Sequence, residues 1–474
     1  MKPGAIACFL LLGALPGCAV GPDYKRPEVP IAPAYKEGGD WKPAQPQDHL
    51  DRGKWWGVFG DPLLDALVEQ VEISNQNVIT ADAQFRRAQA LVAGSRAAYF
   101  PTLDAGASVV RNRSPTGVIG GTTAGRTITN HSATLNSAWE ADLWGRLRRT
   151  VESGVAGAQA SAADLAAARL SAQAELASSY FQLRILDAQR QLLEDTAAGY
   201  QKSLDLTKNR YDAGVAAKVD LVQAETQLKS TQAEAIDTGV QRAQLEHAIA
   251  VLIGKAPAEF SIAPVPLAVT MPRIPMALPS ELLERRPDVA GAERRVAAAN
   301  AQIGVAKAAF FPSLTLSASY GSRSADASQL FTAPSGFWSI GPALAQSIFD
   351  AGLRRAQTEQ AVAAYDATVA QYRQAVLAGF QEVEDNLAAL RILGQEAEVQ
   401  EAAVRAARES VLLTTNQYKA GIVSYINVVT VQTTQLSNER TAMGILGRRL
   451  VAAVTLVKAL GGGWSAAEIA ADNR

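Results

Sequence analysis

Few residues in this chain could carry out covalent chemistry, and those few are poorly spaced for it. The three histidines, His49, His131 and His247, are scattered and lack the close ligand spacing of a zinc site. Gly254-Lys255 has neither the upstream glycine nor the following Ser or Thr of a phosphate loop. No Ser/His/Asp arrangement can be assembled from the spacing. The residues therefore read as a protein that is not an enzyme and uses no metal or cofactor. Cysteine occurs twice, at Cys8 and Cys18, both within the first 18 residues. The other polar groups of interest gather around a turn that appears twice.

Lys2, an apolar run from Ala5 to Ala14, and Leu15-Pro16-Gly17 before Cys18 have the form of a secretory signal. A plain signal peptide or a buried N-terminal helix is the simpler alternative. The ending resembles a bacterial lipobox. In that motif the signal, residues 1–17, is removed, and Cys18 receives N-palmitoyl and S-diacylglycerol groups. Cleavage there would remove Cys8 and use Cys18 as the anchor, which fits export without disulfides. Ala19, rather than Asp, beside the cysteine is compatible with sorting to the outer membrane.

The recurring turn is Tyr211-Asp212-Ala213-Gly214-Val215 and, 418 − 211 = 207 positions later, Tyr418-Lys419-Ala420-Gly421-Ile422. Glycine readily takes the left-handed conformation that ends a helix and turns the chain back. Each copy lies between two long runs with helical pattern, so each predicts the tip of a helical hairpin. The first tip is followed by Lys218 and Asp220, the second by Ser424, Tyr425, Asn427 and Thr430. Asp220 reads either as a helix N-cap or as a gate group. Tyr418 and Tyr425 read either as packing against the neighbouring hairpin or as lining a pore.

Composition narrows the class. Over 474 residues the net charge is −1 and charged residues make up 19 %, so no field suggests nucleic acid. Beyond the N-terminus, no window has the 18 or more apolar residues of a transmembrane helix. A membrane crossing would need a closed β-barrel.

In order, residues 18–60 read as an extended arm rich in Pro, Gly and Trp. Asp61-Pro62 opens a helix running to about Tyr99, with Asp61 as N-cap. Residues 102–113 and 128–140 read as a strand hairpin around a Gly/Thr-rich loop, with Phe100, Trp139 and Trp144 near the strand ends. Its weak alternation suits a barrel with one lipid face and one wet face, and an ordinary surface hairpin is the alternative. From Gly145 to about Arg210 a proline-free helix would span roughly 100 Å. It carries a coiled-coil seam through Leu176, Leu183, Leu193 and Tyr200 that Arg169, Ser179 and Arg190 interrupt. A return helix runs from Asp220 to about Gly254, and residues 256–279 form a proline-rich linker.

The second half repeats this order. Arg96-Ala97-Ala98-Tyr99-Phe100-Pro101 matches Lys307-Ala308-Ala309-Phe310-Phe311-Pro312, 312 − 101 = 211 positions on. Strand-like segments follow at 313–323 and 336–347, then a long helix from about Ala351, the second turn and a last helix. Arg184-Ile185-Leu186 matches Arg391-Ile392-Leu393. The organisation is a duplication: first repeat 61–255, linker, second repeat 280–463, and a tail at 464–474. The elements read as a mainly α fold, each half giving one strand hairpin and one long helical hairpin; where the strands lie in lipid, the fold class is mainly α with a membrane β-barrel.

The whole mature chain resembles the TolC-like outer-membrane factor family, specifically the NodT-type lipoproteins of resistance-nodulation-division efflux systems. The resemblance rests on Leu15-Pro16-Gly17-Cys18-Ala19-Val20-Gly21-Pro22-Asp23-Tyr24, Trp55-Trp56 with Phe59-Gly60-Asp61-Pro62, and Trp139-Glu140-Ala141-Asp142-Leu143-Trp144-Gly145-Arg146. It rests also on Leu283-Glu284-Arg285-Arg286-Pro287-Asp288-Val289 and on the second turn through Tyr425. The resemblance implies a homotrimer with a twelve-stranded outer-membrane barrel, surrounded by lipid, and a periplasmic α-barrel. It implies passive efflux of drugs and toxic compounds, a periplasmic adaptor on the tips and an inner-membrane pump. Tyr211, Gly214, Lys218, Asp220, Tyr418, Gly421, Tyr425, Asn427 and Thr430 become tip and gate candidates. Family gates carry acidic rings after the second tip. Asn427 and Thr430 stand there instead, so hydrogen bonding or the bulk of Tyr425 would constrict the duct. The second hairpin is expected to be the one that moves. The rivals are a duct for ATP-driven protein secretion and a structural periplasmic coiled-coil lipoprotein.

Overall fold

The computed structural model describes residues 19–29, 34–37, 54–113, 127–265, 271–272, 285–462 and 464. The signal segment, Cys18, the loop at 114–126, half of the proline-rich linker and all of the tail but Trp464 lie outside the described residues. The elements run α1 (Pro62–Ser74), α2 (Gln76–Ala97), β1 (Thr102–Arg113), β2 (Thr127–Ala141), α3 (Arg146–Asp212) and α4 (Lys218–Leu252). Then come α5 (Pro287–Ala308), β3 (Ser313–Ser324), β4 (Gly336–Ala345), α6 (Leu353–Lys419) and α7 (Tyr425–Ala459). The order helix, strand hairpin, long helix, turn, helix occurs twice. Among the described residues no helix is long and apolar enough to cross a membrane.

The expected single helix from Asp61 to Tyr99 is two helices. Asp61 does cap α1, its carboxylate accepting from the N–H groups of Leu63 and Leu64 at 3.0 and 3.2 Å. The helix then breaks at Asn75, whose backbone is extended at φ −67°, ψ 122°. The Asn75 side chain caps α2 by accepting from Asn77 and Val78 N–H, and donates to the Leu252 carbonyl. Asparagine competes with helix by bonding nearby backbone, a weaker sequence signal than proline.

The chain divides into two compact units. The first holds Met1–Glu28, Phe85–Ser161 and Ala292–Tyr372. In it the arm is pinned down: Tyr24 donates to Glu293, Asn300 donates to the Pro22 carbonyl, and Arg149 pairs with Asp23. Its centre is one antiparallel sheet in the order β1-β2-β3-β4. Opposite partners include Ala105 with Leu135, Leu135 with Tyr320, and Tyr320 with Trp338. Because side chains alternate across a strand, this register sorts the faces. One face carries Leu103, Ala105, Ala107 and Val109, then Leu135 and Trp139, then Leu314, Leu316 and Tyr320, then Trp338, Ile340 and Leu344. The other carries Thr102, Asp104, Gly106 and Ser108, then Ser132, Thr134 and Asn136, then Thr315, Ser317 and Ser319, then Ser339.

The second unit holds Val29–Gln84, Ala162–Gly291 and Arg373–Arg474. Its helices pack along a seam that includes Leu193 with Ala235 and Leu436, and Ala197 with Tyr200 and Leu228. Arg169 and Arg190 leave that seam for solvent. Trp55 is buried, its indole N–H donating to Gln173 at 3.0 Å.

Both tips of this unit close alike. Gly214 and Gly421 have φ +72° and +76°. At the first, Gly214 N–H donates to Tyr211 O and Val215 N–H to Arg210 O; at the second, Gly421 donates to Tyr418 O and Ile422 to Gln417 O. This is the Schellman arrangement, which satisfies the last carbonyls of a helix. A Cβ at either glycine would meet nothing within 4 Å, so replacement costs backbone strain alone. Gly214→Ala and Gly421→Ala are each expected to cost about 1 kcal/mol, seen as faster amide exchange confined to that tip. Unchanged exchange would show that the left-handed residue does not hold the turn.

Candidate functional site

The sequence candidates at the tips fall into three environments. Tyr418 and Tyr425 are inside, 5 % and 2 % exposed, packed with Ala224 and Val428. Their rings meet edge to face with centroids 5.3 Å apart. Tyr211, the repeat partner of Tyr418, is 38 % exposed. Gly214, Lys218, Gly421, Asn427 and Thr430 are exposed, and Asp220 is half-buried.

Two expectations change. Asp220 is not the N-cap of α4. Ala217 holds that place without a side-chain bond, and Asp220 lies in the first turn, where a carboxylate favours the positive helix end. Tyr425 narrows nothing by projecting, because its ring is enclosed between the hairpins. Burial pushes its phenol up to about 12, with the neighbouring Tyr418 adding to the shift. A phenol raised in the folded state holds its proton there, while the unfolded chain releases one above pH 10. Tip stability is therefore whole below about pH 10 and falls as pH rises from about 10 to about 12, by roughly 2–3 kcal/mol at most. Tyr425→Phe is expected to lose that alkaline component, read as tip-specific proteolysis against pH. An identical pH profile in the variant would refute it.

A residue absent from the sequence candidates connects the tips. The Arg210 guanidinium, at the end of α3, lies 4.8 Å from the Tyr418 ring centroid. It also donates to the Tyr418 carbonyl at 3.2 Å and, more weakly, to that of Lys419 at 3.5 Å. Those carbonyls end α6, where positive charge is favoured. The clamp is incomplete, since the Arg210 Nε and the Tyr418 hydroxyl are buried without hydrogen-bond partners. Each such group costs about 1–3 kcal/mol, which limits how strongly the tips are held together. The available signal was a cation one turn before a repeated glycine turn.

Beyond the tips, matching faces of α4 and α7 differ in charge. Asp220, Gln223, Gln227, Ser230 and Glu234 correspond, 207 positions on, to Asn427, Thr430, Thr434, Ser437 and Thr441. On α7 the hydroxyls of Thr430, Thr434 and Thr441 donate back to their own helix, so that face is polar yet uncharged. Farther along the same four helices is a groove of about 1030 Å³, lined by Gln182, Gln189, Gln241 and Gln244 and crossed by the Arg448–Glu396 pair. Among the described residues no cluster of His, Cys, Asp and Glu could hold a metal ion.

The sheet of the first unit has two unlike faces. Its apolar face leaves Leu103, Val109, Tyr320, Trp338, Ile340 and Leu344 exposed, the kind of patch that marks a protein or membrane contact surface. Its polar face is bonded laterally, Ser108 to Ser132 at 2.8 Å and Ser319 to Asn136 at 2.9 Å. An apolar outer face against a small hydroxyl-rich inner face is the pattern of a membrane barrel strand.

Comparison with known proteins agrees. The family model described as outer membrane efflux protein matches residues 67–255 and 278–462. The chain belongs to the outer membrane efflux protein family. Over 464 residues this efflux protein is 32 % identical to the probable efflux pump outer membrane protein TtgC of Pseudomonas putida, covering 97 % of this chain and 95 % of that one. It is also 32 % identical over 472 residues to the solvent efflux pump outer membrane protein SrpC of Pseudomonas putida, covering 99 % and 100 %. Among solved structures, the outer-membrane channel OprN superposes with a TM-score of 0.88 at 32 % identity, covering 94 % of this chain and all of that one. The efflux protein is thus an outer-membrane channel, mainly helical, whose strands contribute to a trimeric barrel. Its family is one of transport channels rather than enzymes.

Proposed function

We propose that this efflux channel is the outer duct of a tripartite pump, passively conducting drugs and other small toxic compounds outward with no catalytic step of its own. It works as a homotrimer in the outer membrane, with a periplasmic adaptor and an inner-membrane resistance-nodulation-division pump that supplies the energy. The sheet carries this reading. Four tilted strands cannot close on themselves, since closed barrels need about eight or more. Within the protomer β1 and β4 are edges, and unpaired backbone in lipid costs several kcal/mol per group. Three copies give twelve strands and no edge.

Cys18 is the lipid anchor in this reading, and the two hairpin tips form the inner mouth and gate. The gate is a polar one rather than an acidic ring at the second tip. Arg210 holds the hairpins together when the duct is narrow, and the α6–α7 hairpin is the one that moves.

Deletion followed by susceptibility testing against drugs, dyes, metals and organic solvents tests the function. Lower tolerance, restored by the gene, is expected. Unchanged tolerance to the whole panel in a strain lacking redundant channels would defeat the multidrug reading, and loss of a secreted protein would favour a secretion duct. Cys18→Ser is expected to abolish palmitate incorporation and lower outer-membrane recovery. Normal labelling of that variant would refute the anchor.

A further inference from the structure

A duplicated chain contains its own template for the junction between copies. Within one protomer the two halves meet where β2 pairs with β3, Trp139 opposite Leu316 and Ala141 opposite Leu314. Between protomers the corresponding junction is β4 against β1 of the next copy. The Phe-Pro motif before each hairpin relates β1 to β3 by 312 − 101 = 211 positions. Inside the hairpins Thr102 faces Ala138 and Ser313 faces Ala345, so β2 and β4 are related by 345 − 138 = 207. Applying both offsets carries the β2–β3 register onto the open edges.

We infer that β4 of one protomer pairs antiparallel with β1 of a second copy in a single register. In it Ala343 lies opposite Ser108, Leu344 opposite Ala107, Gln346 opposite Ala105 and Ile348 opposite Leu103. This rests on the homotrimeric barrel proposed above and adds which residues meet.

Two further observations agree. The first is the faces. In this register the apolar row of β4, which includes Ile340 and Leu344, stays on the same side as Leu103, Ala105, Ala107 and Val109. A slip of one residue would turn one apolar face against the other strand's polar face. The second is the segment after β4. That strand ends at Ala345 in the protomer, yet Ile348 and Phe349 beyond it are 95 % and 88 % exposed. The counterpart of Ile348 is Ala141, 348 − 141 = 207 positions earlier, which is still paired in β2. Pairing with a second copy therefore continues β4 past Ala345 and brings Ile348 onto Leu103, itself 72 % exposed in the protomer. The most exposed apolar pair after the sheet becomes part of the seal between copies.

Cysteine cross-linking tests the register. Positions 343 and 108 sit on the polar, water-facing side, where a thiolate can form and attack. The only native cysteines are Cys8 and Cys18, so a pair of introduced cysteines meets few competing thiols. The full-length protein is made with Ala343→Cys plus Ser108→Cys. Two controls slide the register by two residues, Ala343→Cys with Gly106→Cys and Ala343→Cys with Val110→Cys. After mild oxidation, the first variant is expected to give covalent dimers and trimers on denaturing gels at least ten-fold more than either control. Preferential cross-linking of a control would overturn the register. Absence of cross-links in all three, with native gels showing an intact trimer, would overturn pairing of these edges while leaving the trimer standing. A monomer throughout would remove the trimeric reading itself, and this register with it.

Discussion

Arg210→Ala is expected to raise the resting conductance of the reconstituted trimer and shift its closed-to-open ratio by roughly 30-fold. The figure follows from what the side chain does. Stacking on the Tyr418 ring is worth about 0.5–2 kcal/mol, and a charged hydrogen bond to the carbonyl at the end of α6 about 1.5–3 kcal/mol. Against this, the variant no longer buries an unpartnered Nε, so the net loss is about 2 kcal/mol, and 1.4 kcal/mol is a factor of ten. Companion variants separate the contributions. Arg210→Lys keeps the charge but not the planar stacking, and should fall between. Tyr418→Phe keeps the ring and removes a hydroxyl without a partner, and should leave conductance unchanged or lower. Single-channel recording at fixed salt provides the readout. Wild-type closed-state conductance in Arg210→Ala, with the trimer intact, would show that the clamp is not the gate.

That result would concern a residue the sequence did not single out, and the reason is physical. The tips were legible because glycine in a left-handed conformation is a local requirement, stated by the same five-residue pattern twice. The sheet was legible because a half-wet strand alternates, although its four segments are weak one by one and gained force from recurring at matched places. The partners of Arg210 lie 208 and 209 residues away, and no local pattern encodes such a contact. The two copies also diverge. Tyr211 and Tyr418 occupy the same repeat position, yet one is exposed and the other buried, because only Tyr418 meets Tyr425, Ala224 and Val428. Identity of motif reported common ancestry and common backbone, while side-chain role was set by neighbours from the other hairpin. The break at Asn75 was hidden for a related reason: it depends on a carbonyl of Leu252 that receives the amide.

The same divergence sets up the largest stability effect. Arg184-Ile185-Leu186 and Arg391-Ile392-Leu393 are repeat copies. Arg184 is buried, pairing with Asp187 at 3.2 Å and donating to the Ala263 carbonyl at 2.9 Å. Asp187 also accepts from Arg242 at 2.7 Å, and Arg242 continues to Glu246 and the Ile262 carbonyl. One enclosed carboxylate thus compensates two arginines, which in turn hold the carbonyls of Ile262 and Ala263 in the segment after α4. Arg391 instead pairs at the surface with Glu37. Removing one member of a buried ionic group leaves uncompensated charge and costs about 3–5 kcal/mol, whereas an exposed pair is worth about 1 kcal/mol or less. Asp187→Ala is therefore expected to lower the apparent unfolding midpoint strongly and open residues 256–265 to protease, while Arg391→Ala changes the midpoint little. Asp187→Asn, which keeps the shape and an acceptor, should lie between them. Equal midpoints for Asp187→Ala and Arg391→Ala would mean that burial does not distinguish the two copies.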